Sequence, residues 1–346
     1  MGRSKIMKII VDVMGGDNAP LELVKGACRA YEDTGVDLLL VGDKEQIERV
    51  AAEEKLDIGR FEILDAKETV EMTDDPLMVV RKKTESSMVK GLKALADGQG
   101  DAFVSTGNTG ALFTCATLVV RRIKGVKRAG IGTVLPLQNP VLLLDSGANV
   151  VVEPEYLDTF AVMGSIYMKS VFGIESPRVG LLNNGSEECK GTELQIAAHK
   201  LLSSNENINF VGNIEGNSLT ADTCDVIVTD GFTGNILIKT IEGMGKLLLG
   251  SLKGVFLANV KTKLSALLVK KQIGAMKKKF DSSEYGGAPF LGLRKPVIKA
   301  HGNSKAKAFA SAIKQAVSFA ESGVCDKTSD EIARLKKSAE AEIEAE

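Results

Sequence analysis

The stretch Lys8-Ile9-Ile10-Val11-Asp12-Val13-Met14-Gly15-Gly16-Asp17-Asn18-Ala19-Pro20 decides how the chain is read. A continuous apolar run is the pattern of a strand buried on both faces, as in a parallel sheet. The run breaks into a glycine-rich polar loop, and Pro20 then suits the first turn of a helix. In the segment that follows, Leu21–Asp33, the apolar positions Leu21, Val24, Ala27, Cys28 and Tyr31 recur at intervals of three and four.

The same grammar returns along the chain. Ala102–Val104 ends in Ser105-Thr106-Gly107-Asn108-Thr109-Gly110, and Val141–Leu144 in Asp145-Ser146-Gly147-Ala148-Asn149. Val179–Leu182 ends in Asn183-Asn184-Gly185-Ser186, and Val226–Val228 in Thr229-Asp230-Gly231-Phe232-Thr233-Gly234-Asn235. Val297–Lys299 ends in Ala300-His301-Gly302-Asn303-Ser304. Strands are also expected at Leu38–Val41 and Phe61–Leu64. Helices are expected at Lys44–Glu54, at Pro76–Asp97 as one piece, and at Gly110–Ile123, Pro154–Val171, Thr192–Ser203 and Asn235–Leu249. A last one, Ser304–Ser322, would be capped by Ser304 or Asn303. This alternation predicts an α/β fold of three layers, αβα, around a mostly parallel sheet. Ligands of such sheets lie outside the carboxyl ends of the strands, so the loops together predict one site.

A length of 346 residues suffices for one large or two medium domains with an ample core. The expected organisation is a single catalytic α/β unit over 1–325, in one or two lobes, followed by a charged, solvent-facing helix over 326–346. Tryptophan is absent, so the core is expected to be aliphatic. The 44 Lys and Arg balance 45 Asp and Glu, which gives no sign of a nucleic-acid partner. Cys28, Cys115, Cys189, Cys224 and Cys325 are odd in number and form no Cys-x-x-Cys pair, as expected of free thiols in a reducing cytoplasm. No signal peptide is seen, and no apolar run reaches the ~20 residues of a spanning helix.

One stretch departs from the pattern. Gly243–Phe280 has no acidic residue and nine lysines, at 246, 253, 261, 263, 270, 271, 277, 278 and 279. Leu252, Val255, Phe256, Leu257, Val260, Leu264, Leu267 and Leu268 are interleaved with them. Lys253 interrupts the apolar arc of a single helix, so two helices joined near Leu264–Val269 are expected, with an apolar tip on basic arms. Three readings stand for this insertion at about 246–280: a membrane surface, an acidic protein partner, or packing against a second copy of the chain.

Nucleotide fingerprints fail. Gly185-Ser186-Glu187-Glu188-Cys189-Lys190-Gly191-Thr192 has Lys and Gly in the wrong order for a P-loop, and no G-x-G-x-x-G follows a strand. NAD and ATP are disfavoured, and with only two histidines a multi-histidine metal site is not expected. No cofactor is therefore assigned. Backbone amides at glycine-rich helix starts suit an anion, although each loop taken alone also reads as an ordinary turn. His301, between strand and helix, suits an oxyanion or proton transfer, with a capping or core histidine as the alternative. Lys190 suits a phosphate charge or is a solvated lysine, and Cys189 is a lesser candidate for a nucleophile. His199, in mid-helix, reads as a surface residue.

Taken together, these loops resemble the bacterial phosphate acyltransferases, the PlsX family. The resemblance is carried by Asp12–Pro20, Ser105–Ala111, Leu144–Asn149, Gly212-Asn213-Ile214-Glu215-Gly216, Thr229–Asn235, Tyr285-Gly286-Gly287-Ala288-Pro289 and His301-Gly302-Asn303-Ser304, in family order. One departure is Asn183-Asn184-Gly185, where the family pattern has a single Asn and an apolar residue before Gly. The resemblance implies transfer of a fatty acyl group from acyl carrier protein to inorganic phosphate. The resulting acyl phosphate would feed a membrane-bound glycerol-3-phosphate acyltransferase in phospholipid synthesis. It also implies a homodimer, cytoplasmic or peripheral to a membrane, with a fold similar to phosphotransacetylases and isocitrate or isopropylmalate dehydrogenases. Short-chain acyl-coenzyme A phosphotransacylase and a non-catalytic anion-binding scaffold are the rival readings.

Attack of phosphate on a thioester needs neither a strong base nor a strong acid, because phosphate is already anionic and a thiol leaves with a pKa near ~8.5. The need is to bring two anions together and to stabilise an oxyanion. On this reading Lys190, His301, Asn235 and Asp230 are the candidate catalytic residues. Gly15, Gly16, Asp17, Asn108, Thr109, Gly110, Asn149, Asn184 and Gly185 are the candidate substrate-binding residues.

Overall fold

The apolar run that opens the chain sends its side chains alternately to two faces. Ile9 and Val11 join one core cluster, with Leu23, Val24, Phe309 and Ile313, and Ile10 joins another, with Met88, Leu92, Ala111 and Leu112. A strand buried on both sides in this way requires helices above and below it. The computed structural model describes residues 7–279 and 286–345.

In chain order the elements are β1 (Lys8–Asp12), α1 (Leu21–Thr34), β2 (Asp37–Gly42), α2 (Lys44–Glu54), β3 (Glu62–Asp65), α3 (Pro76–Lys82), α4 (Ser87–Ala96), β4 (Ala102–Ser105) and α5 (Thr109–Val119). Next come β5 (Gly130–Pro136), β6 (Pro140–Leu144), α6 (Pro154–Phe172), β7 (Arg178–Asn183), α7 (Glu193–Ser204), β8 (Asn209–Glu215) and β9 (Val226–Val228). The chain closes with α8 (Gly231–Leu257), α9 (Val260–Lys279), β10 (Ala288–Leu291), β11 (Val297–Lys299), α10 (Ala306–Glu321) and α11 (Val324–Ala345).

The strands form one sheet in the order β3-β2-β1-β4-β11-β10-β5-β6-β9-β7-β8. The first five are parallel. Strand direction then alternates: β10 is antiparallel to both β11 and β5, and β6 is antiparallel to β5. From β6 the sheet is parallel again through β9, β7 and β8, now running opposite to β1. The expected α/β class and mostly parallel sheet therefore hold, with an antiparallel seam in the middle.

Several local expectations are corrected. Pro76–Asp97 is two helices, because Ser86 starts a new one by accepting the Val89 N–H at 3.4 Å, and Lys83 ends the first. Neither Asn303 nor Ser304 caps α10; the first helical amide, on Ala306, donates instead to Glu22 Oε2 of α1 at 2.9 Å. The helical arm of the insertion turns at Ala258–Asn259, several residues before the expected joint, and Asn259 Oδ1 accepts the Thr262 N–H at 3.0 Å there. Leu264, Leu267 and Leu268 are exposed, but they lie within α9 past the bend instead of forming the expected tip. The terminal helix α11 starts at Val324 and is not wholly solvent-facing: Val324 and Thr328 are buried, and Ile332 packs on the core. His199 is buried, not on the surface, with Nδ1 3.0 Å from Asn213 Oδ1 and Phe210 edge-on to its ring.

Candidate active site

The direction change across β10, β5 and β6 sorts the six glycine loops. Those after β1, β4 and β11 leave the sheet at one edge, and those after β6, β9 and β7 leave at the opposite edge. By strand direction the loops form two constellations, and the pairing register starts both near the middle of the sheet: Ile131, bonded to Asp145, pairs with Phe290, whose neighbour Pro289 pairs with Ile298 of β11. They are linked through the sheet's apolar packing, where Ala148 of the second joins the cluster holding Ala111 and Leu112 of α5.

The first constellation is tightly knit. Asp12 is buried and its carboxylate accepts from Ser105 Oγ at 2.7 Å and from the Met14 N–H at 3.1 Å. Burial pushes the Asp12 pKa up, and those bonds partly offset it. Thr106 Oγ1 donates to the Gly15 carbonyl at 2.5 Å, and the Asp17 N–H donates to the Gly302 carbonyl at 2.9 Å. A side chain on Gly15 would collide with the backbone of Gly107, and one on Gly16 with the Gly302 carbonyl. Glycine is needed at both because three loops meet backbone to backbone, and Gly16 also has φ of +80°. Asn18 Nδ2 completes the tie, donating to the Asn303 carbonyl at 3.0 Å.

Two expected site residues stand at this junction with defined chemistry. Asn108 caps α5, its Oδ1 accepting the Ala111 N–H at 3.1 Å, and its Nδ2 donates to the Met72 carbonyl at 2.9 Å. It therefore positions the helix start, where Thr109 and Gly110 lie exposed. His301 is exposed, and its Nδ1 accepts the Asn303 N–H at 3.3 Å. That bond leaves the proton of a neutral ring on Nε2, which is then a donor.

Lys299, which the sequence reading passed over, lies under this junction. It is 9% exposed, and its Nζ donates to the carbonyls of Thr106, at 3.3 Å, and Ala300. Burial lowers its pKa to about 8 against the pull of Asp17 and Asp12. The available signal was a charge at the inner end of an apolar run, a position lysine seldom occupies without a reason.

At the other edge, Asp145 is fully buried and organises its own loop. Oδ1 accepts the N–H groups of Gly147 at 2.9 Å and Ala148 at 3.0 Å, and Oδ2 accepts the Asn149 N–H at 2.7 Å. Asn149 Nδ2 donates to the same carboxylate and to the Ala129 carbonyl, each at 2.7 Å. The role of Asn149 is thus to fix the loop. Asp230 caps α8, with Oδ1 accepting the Thr233 N–H at 2.8 Å and Oδ2 the Thr233 hydroxyl at 2.7 Å. Gly231 N–H donates to the Asn149 carbonyl at 2.7 Å, and Gly234 packs directly on the Asp145 carbonyl. Asn235 follows, exposed and beside Gly147.

On the same edge, the loop after β7 carries exposed Asn184 and Lys190. Asn183 Nδ2 donates to the Lys190 carbonyl at 3.1 Å, and the aliphatic stem of Lys190 covers buried Gly185. The loop is held from below by Asn213, whose Nδ2 donates to the Glu187 carbonyl at 2.7 Å while its Oδ1 faces His199. The structure thus groups Gly15, Gly16, Asp17, Asn108, Thr109, Gly110 and His301 at one edge. It places Asn149, Asn184, Gly185, Lys190, Asp230 and Asn235 at the other. Tyr285, in one of the resembling motifs, lies outside the described residues.

A family profile described as "Fatty acid synthesis protein" matches residues 7–327. Phosphate acyltransferase of Acetivibrio thermocellus is 44% identical over 332 residues, 95% of this chain and 98% of that protein. The chain belongs to the phosphate acyltransferase family. A second relative, phosphate acyltransferase of Clostridium acetobutylicum, is 43% identical over 331 residues, covering 95% of this chain and all of its own. Among solved structures, a phosphotransacetylase from Streptococcus pyogenes superposes with a TM-score of 0.62 at 16% identity, over 92% of this chain and 94% of its own. A 4-hydroxythreonine-4-phosphate dehydrogenase from Klebsiella pneumoniae does so with a TM-score of 0.56 at 11% identity, over 91% and 99%. Both show the fold that the resemblance implied. The chain is an acyltransferase of this family, and among the described residues no helix is long and apolar enough to cross a membrane.

Proposed function

We propose that the chain transfers a fatty acyl group from the thioester of acyl carrier protein to inorganic phosphate, yielding an acyl phosphate for phospholipid synthesis. The observation that carries this reading is the junction at the carboxyl ends of β1, β4 and β11. There the Nδ1 of exposed His301 accepts the Asn303 N–H, which leaves Nε2 to act as donor, on a loop neighbouring the glycine-rich one that starts α5. Outward amides at a helix start and a fixed N–H donor both favour an anion in a small space. A phosphate oxygen forms the C–O bond, the C–S bond breaks, and the carrier leaves as a thiolate that water protonates. Donors aimed at the intermediate oxyanion supply the main stabilisation. For this attack the thioester carbonyl lies beside His301, and Asn235, Asn184 and Lys190 hold the pantetheine arm that leads to it.

The exposed apolar residues Val150, Val151, Phe232 and Ile236 border the second constellation, and a second copy of the chain covers them in a homodimer. The exposed leucines of the α8–α9 hairpin, among Lys261, Lys263, Lys270 and Lys271, meet an anionic membrane surface. That placement would keep the product near a membrane-bound glycerol-3-phosphate acyltransferase. Reversing Lys270 and Lys271 to Glu tests it: liposome binding falls while turnover on soluble carrier stays normal. A raised KM for carrier would instead assign these lysines to carrier docking.

The deciding assay incubates the purified chain with acyl carrier thioester and phosphate, follows thiol release, and traps acyl phosphate with hydroxylamine. The expected result is phosphate-dependent release with long-chain acyl carrier favoured over acyl-coenzyme A. Preference for short acyl-coenzyme A would establish the phosphotransacylase reading instead, and no release from either donor would overturn both.

A further inference from the structure

We infer that Lys299 is the buried cation that binds and positions the phosphate acceptor, at the floor of the junction formed by the loops after β1, β4 and β11. The inference rests on phosphate being the acceptor, as proposed above. Its basis is geometric. The side chain is more than nine-tenths buried, and its ammonium ties the loop after β4 to the loop after β11 through the carbonyls of Thr106 and Ala300. Two of its three N–H donors are spent there, and among the described residues no protein acceptor is bonded to the third.

The buried carboxylate of Asp12 does not neutralise the ammonium by contact, since it is engaged by Ser105 Oγ and the Met14 N–H. Asp17 and Asp12 act on it through space. On neighbouring strands, β10 presents Ala288 and β4 presents Ser105 opposite Lys299, and His301 follows two residues along the same strand end. A desolvated cation without a contacting counter-ion is costly unless something anionic completes it. Bound phosphate does so, and the shared Thr106 and Ala300 carbonyls then hold both loops at the reacting anion. Lys190, by contrast, is an exposed cation at the other edge.

The role is separable from a purely structural tie. In K299M, phosphate KM rises ~10–100-fold, the size of one charged hydrogen bond, while KM for the acyl donor changes by less than about 3-fold. In the unaltered enzyme, phosphate KM climbs as pH passes about 8, where the ammonium discharges, and in K299R that climb disappears. Should the variants not fold, the unaltered enzyme decides. Cyanate carbamylates the neutral lysine, read peptide by peptide, and saturating phosphate protects Lys299 where chloride of equal ionic strength does not. Normal phosphate KM in folded K299M, or carbamylation of Lys299 indifferent to phosphate, overturns the inference. Absence of any phosphate-dependent thiol release would strike the acceptor reading instead, and the protection experiment reports on Lys299 independently of it.

Discussion

The carboxylate of Asp12 and the hydroxyl of Ser105 meet at 2.7 Å across neighbouring strands, and neither is exposed to solvent. The same hydroxyl accepts the Gly107 N–H at 3.0 Å, so one side chain sets both the strand pairing and the start of the β4 loop. Ser105→Ala therefore destabilises the fold by about 1.5–3 kcal/mol, the range for a hydrogen bond to a charged group. Burial already holds the Asp12 pKa above its ordinary value, and losing Ser105 raises it further. A raised carboxylate pKa contributes stability that is present at low pH and lost as pH rises through the folded-state value. The gap between variant and wild type is accordingly larger at pH 7 than near pH 4, as urea denaturation at the two pH values will show.

Arg178 and Asp225 form a pair with the opposite sign. Arg178 Nε and Nη2 donate to the two carboxylate oxygens at 3.0 and 2.9 Å, and the Arg178 N–H adds a third bond at 2.8 Å. Burial alone would raise the Asp225 pKa, but these bonds outweigh it and hold it low. The stabilisation is present above the ordinary carboxylate pKa and lost as pH falls through the lowered one. Arg178→Met costs about 2–3 kcal/mol at pH 7, below the full penalty for a broken buried pair because the arginine is partly exposed. The deficit shrinks toward pH 4 as Asp225 takes up a proton in the variant. A deficit that grows on acidification would show that Asp225 is not the group responsible.

Gly234 sits against the carbonyl of Asp145, so an added methyl must drive the start of α8 away from the Asp145 loop. Gly234→Ala is expected to cost about 1–3 kcal/mol of overpacking strain and to displace Asn235 as well. Thermal melting should register the first effect, and turnover at saturating substrate the second. Gly243→Ala is the control: it lies on the same helix with open space around it, and neither quantity should change appreciably.

In the proposed chemistry His301 acts through one nitrogen. With Nδ1 occupied by the Asn303 N–H, only Nε2 remains to stabilise an oxyanion. His301→Ala should lower kcat by ~10²–10³, the usual loss for one preorganised donor. His301→Gln offers a similarly placed N–H and should recover part of that loss. Thiol-release kinetics with both variants settles it: equal, near-normal turnover would remove His301 from the chemistry.

Much of this architecture is legible in the chain because the alternation of apolar runs and 3.6-residue periodicity is a local property. Ile9, Ile10 and Val11 announce a strand buried on both faces, whereas α8 begins at Gly231, before the expected Asn235, because Asp230 caps it within the glycine loop. Strand direction is not local. Val141–Leu144 reads identically whichever way it runs, so the reversal at β6 and the resulting division of the loops between two edges could not be read from it. The capping of α10 by Glu22 was hidden for the same reason, being a bond across 284 residues of sequence. His199 misled because Ala197, Ala198 and Lys200 form no distinctive apolar stripe, and only the approach of Asn213 and Phe210 from β8 encloses the ring. Lys299 was passed over because its burial depends on the Thr106 loop, nearly two hundred residues away in sequence.

Helix α8 begins at the Asp230 cap, one turn from Asn235, and continues unbroken for 27 residues to the hairpin bend. At 1.5 Å per residue it is a rod of about 40 Å. The lip of the second constellation and the exposed leucines at the far end are therefore two ends of one stiff spar. Whatever grips the tip also dictates which way the mouth faces, so anchorage and aim are mechanically a single property of this molecule.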